Sequence, residues 1–239
     1  MLFRSRFLLV HAIILPLRPK KSAHAYSKIF TDRGSPLLFH TLDLAEKVRR
    51  ELGTKFEVEV GMRYGNPSIE SAVKKLVDRG VSRLIFIPLY PQHSLAATES
   101  SFTEYRRVLS ALKVEQSSAE IGAFYARPEF SSAFEERIRD SMSQFRPDHV
   151  LFSYHGIPER HVQKTDRSTG PQKHCLAGGE CCAEIREENR DCYRAQSYWN
   201  TREFARRLAL APGEWSVGFQ SRLGRTPWIS PYTDHLLDE

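Results

Sequence analysis

Three groups of residues have types and spacing that can do chemistry. The first is His155, within Leu151-Phe152-Ser153-Tyr154-His155-Gly156-Ile157-Pro158. An imidazole titrates near neutrality, so it can serve there as base, acid or metal ligand. The second is the polar turn Gln220-Ser221-Arg222, followed by Trp228, Pro231 and Tyr232. The third is the cysteine set. All four cysteines of the chain, Cys175, Cys181, Cys182 and Cys192, fall within 18 residues, spaced C-x5-C-C-x9-C. Four clustered thiolates can hold zinc or an iron–sulphur cluster. The spacing lacks the CxxC pairs of zinc ribbons, which weakens the zinc reading. A disulfide pair is disfavoured in a chain this large without a convincing export signal. Each group also has a bland alternative: a packed loop histidine, a plain turn rich in Gly and Pro, and cysteines that only pack.

The elements that must position these residues alternate between helix and strand. The apolar run 150–154 predicts a buried strand with His155 at its carboxyl end, broken by Gly156-Ile157-Pro158. A second strand over 215–220 delivers Gln220, Ser221 and Arg222 at its own carboxyl end. In open α/β sheets ligands sit outside these strand ends, so both groups should face one crevice.

Upstream, Ser35 as N-cap and Pro36 at the first helical position open a helix that Gly53 closes. Its apolar stripe is Leu38, Leu42, Ala45 and Val48. Residues 55–64 alternate with period two and predict a strand. A helix starting at Asn66-Pro67 carries Ile69, Val73, Leu76 and Val77 and stops at Gly80. The run 83–91 predicts a strand buried on both faces. A helix over 98–112, a strand over 121–125 and a helix over 128–145 follow. After residue 154 come a cysteine-bearing insertion, a helix over about 195–210, the strand 215–220, and a helix starting at Thr233 or Asp234.

This order predicts an α/β fold of parallel, doubly wound sheets in two domains. The first, residues 1–145, lacks a recognisable first strand. The second, residues 146–239, carries the insertion at about 165–193. It reads as incomplete, because two strands cannot close a parallel sheet.

Charge is uneven. Residues 1–31 hold six basic side chains (Arg4, Arg6, Arg18, Lys20, Lys21, Lys28) and no acidic one, while the rest of the chain balances. A basic end suits a local anionic ligand or an anionic membrane surface, and argues against a nucleic-acid-binding face over the whole protein. The apolar stretch 7–17 outlines a secretory signal, with Ala23-His24-Ala25 as cleavage site. Arg18, Lys20 and Lys21 interrupt that outline, and the stretch is too short to span a bilayer. It is read as a core-packing segment of a cytoplasmic protein.

At this point the residues carry a resemblance. Leu151-Phe152-Ser153-Tyr154-His155-Gly156-Ile157-Pro158-Glu159-Arg160 resembles one hallmark segment of ferrochelatases. Gln220-Ser221-Arg222-Leu223-Gly224-Arg225-Thr226-Pro227-Trp228 with Pro231-Tyr232-Thr233-Asp234 resembles the other. Arg18-Pro19-Lys20-Lys21-Ser22, Gly34-Ser35-Pro36-Leu37, Met62-Arg63-Tyr64-Gly65-Asn66-Pro67 and Pro88-Leu89-Tyr90-Pro91-Gln92 are similar to the family as well.

The resemblance implies insertion of ferrous iron into a porphyrin, protoporphyrin IX or coproporphyrin III, in haem synthesis. It implies two Rossmann-like chelatase domains with the macrocycle in the cleft between them. His155 matches the histidine that faces the porphyrin nitrogens and meets Fe2+. Ser35 and Tyr125 match positions that line the porphyrin site. The four cysteines resemble the internal segment of members carrying a [2Fe-2S] cluster, with zinc as the alternative occupant. The acidic partner of the histidine is not found in this sequence, and His93 stands where the family commonly has an aromatic residue. The 239-residue chain alone is therefore expected to be inactive or nearly so. The rival readings are a chelatase for another metal and a non-catalytic tetrapyrrole- or cluster-binding remnant.

Overall fold

Proline and glycine set the frame of the first helix. In the computed structural model, which describes Ala23 and residues 26–238, α1 spans Pro36–Leu52. Pro36 takes the first turn, where its missing N–H costs nothing. Gly53 ends the helix at φ 64°, a left-handed conformation that glycine adopts without strain. Ser35 stands at the N-cap with extended backbone, but its side chain makes no capping hydrogen bond. Of the predicted stripe only Ala45 is buried; Leu38 and Val48 are half-buried and Leu42 is exposed.

The strand expected over 55–64 does not form. Gly53–Lys55 is a single 3-10 turn, and the extended residues beyond it meet only one bridge among the described residues, Met62 to Ser68. Alternation writes the side-chain pattern of a strand, but a ladder also needs a neighbouring backbone. Here other groups serve instead. The Arg49 guanidinium donates to the Val58 carbonyl at 2.6 and 2.9 Å. Gly61 lies against the next helix so closely that a Cβ would sit 2.9 Å from the Ile69 Cα.

That helix, α2, spans Ile69–Asp78. Its start falls beyond the expected Asn66-Pro67 because Ser68 is the cap: its Oγ accepts from the Ser71 amide at 3.1 Å. Ile69, Ala72 and Val73 form its buried face, and Gly80 closes it with φ 73°.

The chain divides into two compact units at Val81/Ser82. In the second unit β1 (Arg83–Phe86) pairs in parallel with β2 (Ser117–Glu120), with α3 (Ser100–Ala111) as the crossover. A π-helical turn, Leu95–Glu99, leads into α3. Phe86 stacks on Tyr105 at 4.4 Å, and the Tyr105 hydroxyl bonds the Ser118 hydroxyl at 2.8 Å.

Two expectations are corrected here. β1 is shorter than 83–91 and is not buried on both faces: Leu84 is 3% exposed, but Ile85 is 50% and Ile87 47%. β2 falls at Ser117–Glu120 rather than 121–125. A polar segment pairs with β1, tied to α3 through Tyr105 and Ser118, and the Ile121 amide still donates to the Phe86 carbonyl at 2.9 Å. Past it, the amides of Phe124 and Tyr125 both donate to the Pro91 carbonyl at 2.9 Å.

α4 (Pro128–Phe145) matches the expected helix at both ends, with Pro128 in its first turn. β3 (Val150–His155) and β4 (Trp215–Gln220) then form a second parallel pair, in register from Val150↔Trp215 to His155↔Gln220. Their crossover contains α5 (Glu159–Lys164), the cysteine segment and α6 (Tyr193–Leu208). The core is built from Val162, Val217, Phe219, Ile229 and the four cysteines, with Tyr154 and Tyr198 packed on it. α7 (Thr233–Asp238) begins where expected. Two parallel sheets joined through helical crossovers make an α/β fold, as the element order predicted. The N-terminal apolar stretch, Arg18, Lys20 and Lys21 lie outside the described residues.

Candidate functional site

Period-two geometry decides what β3 offers. Ser153 and His155 point to one face and are exposed, while Tyr154 points to the other and is half-buried. The Tyr154 hydroxyl bonds Thr201 at 3.0 Å on α6, and burial pushes its phenol up to about 12. The His155 ring has no hydrogen-bond partner among the described residues, so both nitrogens are free for an incoming group.

The loop after His155 is clamped to the second motif by backbone. The Gly156 amide donates to the Gln220 carbonyl at 2.7 Å, and Glu159 N–H donates to Pro227 at 3.0 Å. The Ile229 amide donates back to Ile157 at 3.0 Å. A Cβ on Gly156 would lie 2.7 Å from the Gln220 oxygen and 3.4 Å from the Trp228 ring. Phe219 N–H donates to Pro231 at 2.8 Å, and Ser153 Oγ bonds Thr233 Oγ1 at 2.9 Å. The two segments singled out in the sequence therefore form one hydrogen-bonded surface at the carboxyl end of β3 and β4.

The side chains of the second motif hold one another. Arg222 pairs with Asp234 at 2.8 Å and lies over the Tyr232 ring at 4.3 Å. Trp228 Nε1 donates to the Leu223 carbonyl at 3.0 Å, and the Tyr232 hydroxyl donates to the Trp228 carbonyl at 3.2 Å. Ser221 adopts φ 71°, a left-handed conformation uncommon for a residue with a Cβ, at the point where the chain leaves β4.

Tyr125 is in the same unit but on a different loop. Its carbonyl accepts from Asn200 Nδ2 at 2.7 Å and its ring meets Trp199 edge-on at 5.4 Å. Burial, with the charge of Asp191 adding to it, raises its phenol above the ordinary range. No hydrogen bond or ring contact joins Tyr125 to His155 among the described residues. Ser35 belongs to the first unit, at the start of α1.

The four cysteines are gathered and buried. Cys181 Sγ and Cys182 Sγ are 3.7 Å apart. A hydrogen bond with Cys192, then burial, raises the Cys182 thiol far above its ordinary range. Cys192 is pushed up to about 12, chiefly by its hydrogen bond with Cys175. Asp166 pins the segment's entry: Oδ1 accepts from the Ser168 amide at 2.8 Å and Oδ2 from the Cys175 amide at 2.7 Å. The donor set suits a thiophilic metal or cluster, since all four are sulphur and shielded from water. As they stand the thiols bond to one another. Among the described residues no group of three or more His, Cys, Asp or Glu side chains stands in a geometry that could hold a metal ion.

One feature escaped sequence reasoning. α6 buries Gln196, Ser197, Asn200 and Thr201. Gln196 Oε1 accepts from the His93 amide at 2.6 Å, and Asn200 Oδ1 accepts from Gln92 Nε2 at 2.8 Å. His93 is spanned between the Asp191 carbonyl at 3.0 Å and Glu99 at 3.1 Å. The sign in the sequence was polar residues recurring four apart, at 196/200 and 197/201, in a helix too rich in them for an ordinary buried face.

The sequence model of the ferrochelatase family matches residues 3–239. The chain is 42% identical over 234 residues to the ferrochelatase of Coxiella burnetii, which covers 98% of this chain and 64% of that protein. It is 42% identical over 231 residues to the one of Pseudomonas syringae pv. syringae, covering 97% and 66%. It is 41% identical over 239 residues to the one of Legionella pneumophila, covering 98% and 67%. The chain thus spans just under two thirds of the length of the Coxiella relative. With the match running from residue 3 to residue 239 and both strand-end segments inside it, this chain belongs to the ferrochelatase family.

Proposed function

We propose that the site built on β3 and β4 serves the insertion of ferrous iron into a porphyrin. The observation that carries the reading is His155, exposed and unbonded on the end of a rigid strand, in a chain of this family. Metallation removes two pyrrole protons and puts Fe2+ in their place. A neutral imidazole facing the macrocycle takes such a proton on a ring nitrogen. The clamp from Gly156 to Gln220 keeps the base from shifting as the substrate settles. Trp228 and Tyr232 supply aromatic surface beside it for an apolar macrocycle.

In this reading Ser35 and Tyr125 line the porphyrin site, and the division into two chelatase domains falls near residue 145. The substrate is a dicarboxylic or tetracarboxylic porphyrin, protoporphyrin IX or coproporphyrin III, and the protein works in the cytoplasm. Cys175, Cys181, Cys182 and Cys192 hold a [2Fe-2S] cluster, or zinc in its place. Bound there, a cluster supplies a one-electron centre and cross-links the segment from four points.

The test is single-turnover metallation, with the chain in excess over each porphyrin and Fe2+ added without oxygen, preceded by a porphyrin fluorescence titration. Saturable binding is expected, with residual metallation at most from this chain alone, because the acidic partner of His155 is not found in this sequence. Failure to bind either porphyrin would overturn the reading. Binding without metallation would favour the remnant that binds a tetrapyrrole but does not react.

A further inference from the structure

Several arginines in the second unit of this chain face a carboxylate, as in Arg106–Glu120, Arg139–Glu135, Arg167–Asp191 and Arg207–Glu203. Arg194, on the first turn of α6, does not. Its Nη1 donates to Cys182 Sγ at 3.2 Å and lies 3.8 Å from Cys181 Sγ. Nε donates to the Ser230 carbonyl at 3.1 Å, and the guanidinium lies over the Tyr198 ring at 4.9 Å. A second arginine converges on the same residue: Arg202 Nη2 donates to the Cys182 carbonyl at 3.1 Å, also with no carboxylate paired to it among the described residues.

A guanidinium removed from water needs an anion or a full set of acceptors. A neutral thiol is a poor acceptor, whereas a metal-bound thiolate carries the charge that is missing. Four thiolates around a divalent cation leave a net negative charge of about two, which two guanidiniums offset.

We propose that Arg194, seconded by Arg202, is the counter-charge of a thiolate-bound metal at the cysteine segment. The inference rests on the metal-binding reading of the cysteines given above. It adds that this chain's own cations are placed for the loaded, anionic state of the site. The hydrogen bond from Nε to the Ser230 carbonyl holds the guanidinium, so the charge is positioned before the metal arrives.

The test uses the reduced, metal-free, full 239-residue chain and Co2+ alone as probe, read by thiolate-to-cobalt charge-transfer absorption. Wild type is expected to bind with that absorption, and Arg194→Lys to bind within about threefold of it. Arg194→Gln is expected to bind at least about tenfold more weakly, a loss of ~1.4 kcal/mol. A purely structural role makes the opposite forecast for the metal-free proteins. Removing an uncompensated cation should leave Arg194→Gln melting no lower than wild type, with only the metal-induced rise in Tm reduced. Equal cobalt affinity in Arg194→Gln and wild type would overturn the role of Arg194 while leaving the cysteine site standing. A metal-free Arg194→Gln that melts lower or fails to fold would overturn it as well. Absence of thiolate–cobalt absorption in wild type would overturn the single-metal reading of the cysteines, and this inference with it.

Discussion

The amide of Gly156 donates to the carbonyl of Gln220 at 2.7 Å, and a Cβ built on Gly156 would lie 2.7 Å from that same oxygen. The bond that fixes the loop behind His155 therefore exists only because residue 156 has no side chain. Gly156→Ala should force the loop off β4 and cost about 1–3 kcal/mol, as overpacking does. Gly122, where an added Cβ would meet nothing within 4 Å, is the control, and Gly122→Ala should be neutral within ~1 kcal/mol. Urea unfolding of the two variants makes the comparison. Equal stability would show that the loop relaxes freely and that the clamp is not rigid.

His155→Ala separates chemistry from folding. The ring is exposed and makes no hydrogen bond among the described residues, so Tm should stay within a degree or two of wild type. The residual single-turnover metallation should fall by ~10²-fold or more if the imidazole is the base. A variant that metallates at the wild-type rate would remove His155 from the reaction.

Tyr154 gives a pH dependence with a definite sign. Its phenol is held near 12 in the folded chain against an ordinary value of 10.0. A raised acid contributes stability that is fully present below pH 10 and is lost as pH climbs toward 12. The difference corresponds to roughly 2–3 kcal/mol. Tyr193, held near 12 by burial, behaves alike. Alkaline difference absorption should show these two phenols ionising last, together with unfolding, and Tyr154→Phe should remove one of them. Tyr154 ionising near pH 10 in a protein that is still folded would contradict the burial seen here.

Asn200 bonds Gln92 with its oxygen and the Tyr125 carbonyl with its nitrogen, so it ties two loops of the β1–β2 pair to α6. Asn200→Ala strands both partners and should cost ~2–4 kcal/mol. Asn200→Asp keeps the acceptor and loses the donor. It should also weaken protection of the 91–94 and 124–126 amides, read by hydrogen exchange. Unchanged protection in Asn200→Ala would mean the loops hold without it.

Several elements were legible in the sequence because their signals are local. Pro36 and Gly53 bracket α1, Pro128 opens α4, and short apolar runs bounded by turn residues mark β3 and β4. The two hallmark segments carried the family, and the apolar run broken by Gly156-Ile157-Pro158 placed His155 at the carboxyl end of β3. The clustering of four cysteines within one segment also needed no structure to see.

Tertiary structure decided whatever depends on a partner. Residues 55–64 have a strand's alternation but meet no ladder among the described residues, while the polar 117–120 forms the ladder and the apolar 121–125 makes only scattered backbone bonds beyond it. Side-chain period is written into a few neighbouring residues, whereas a backbone donor's partner is a distant segment that only folding brings close. The same holds at the site. That Gly156 must lack a side chain, that Gln196 and Asn200 are buried and paired, and that Arg194 faces sulphur instead of a carboxylate are all contacts across long stretches of chain. No spacing within the sequence encodes them.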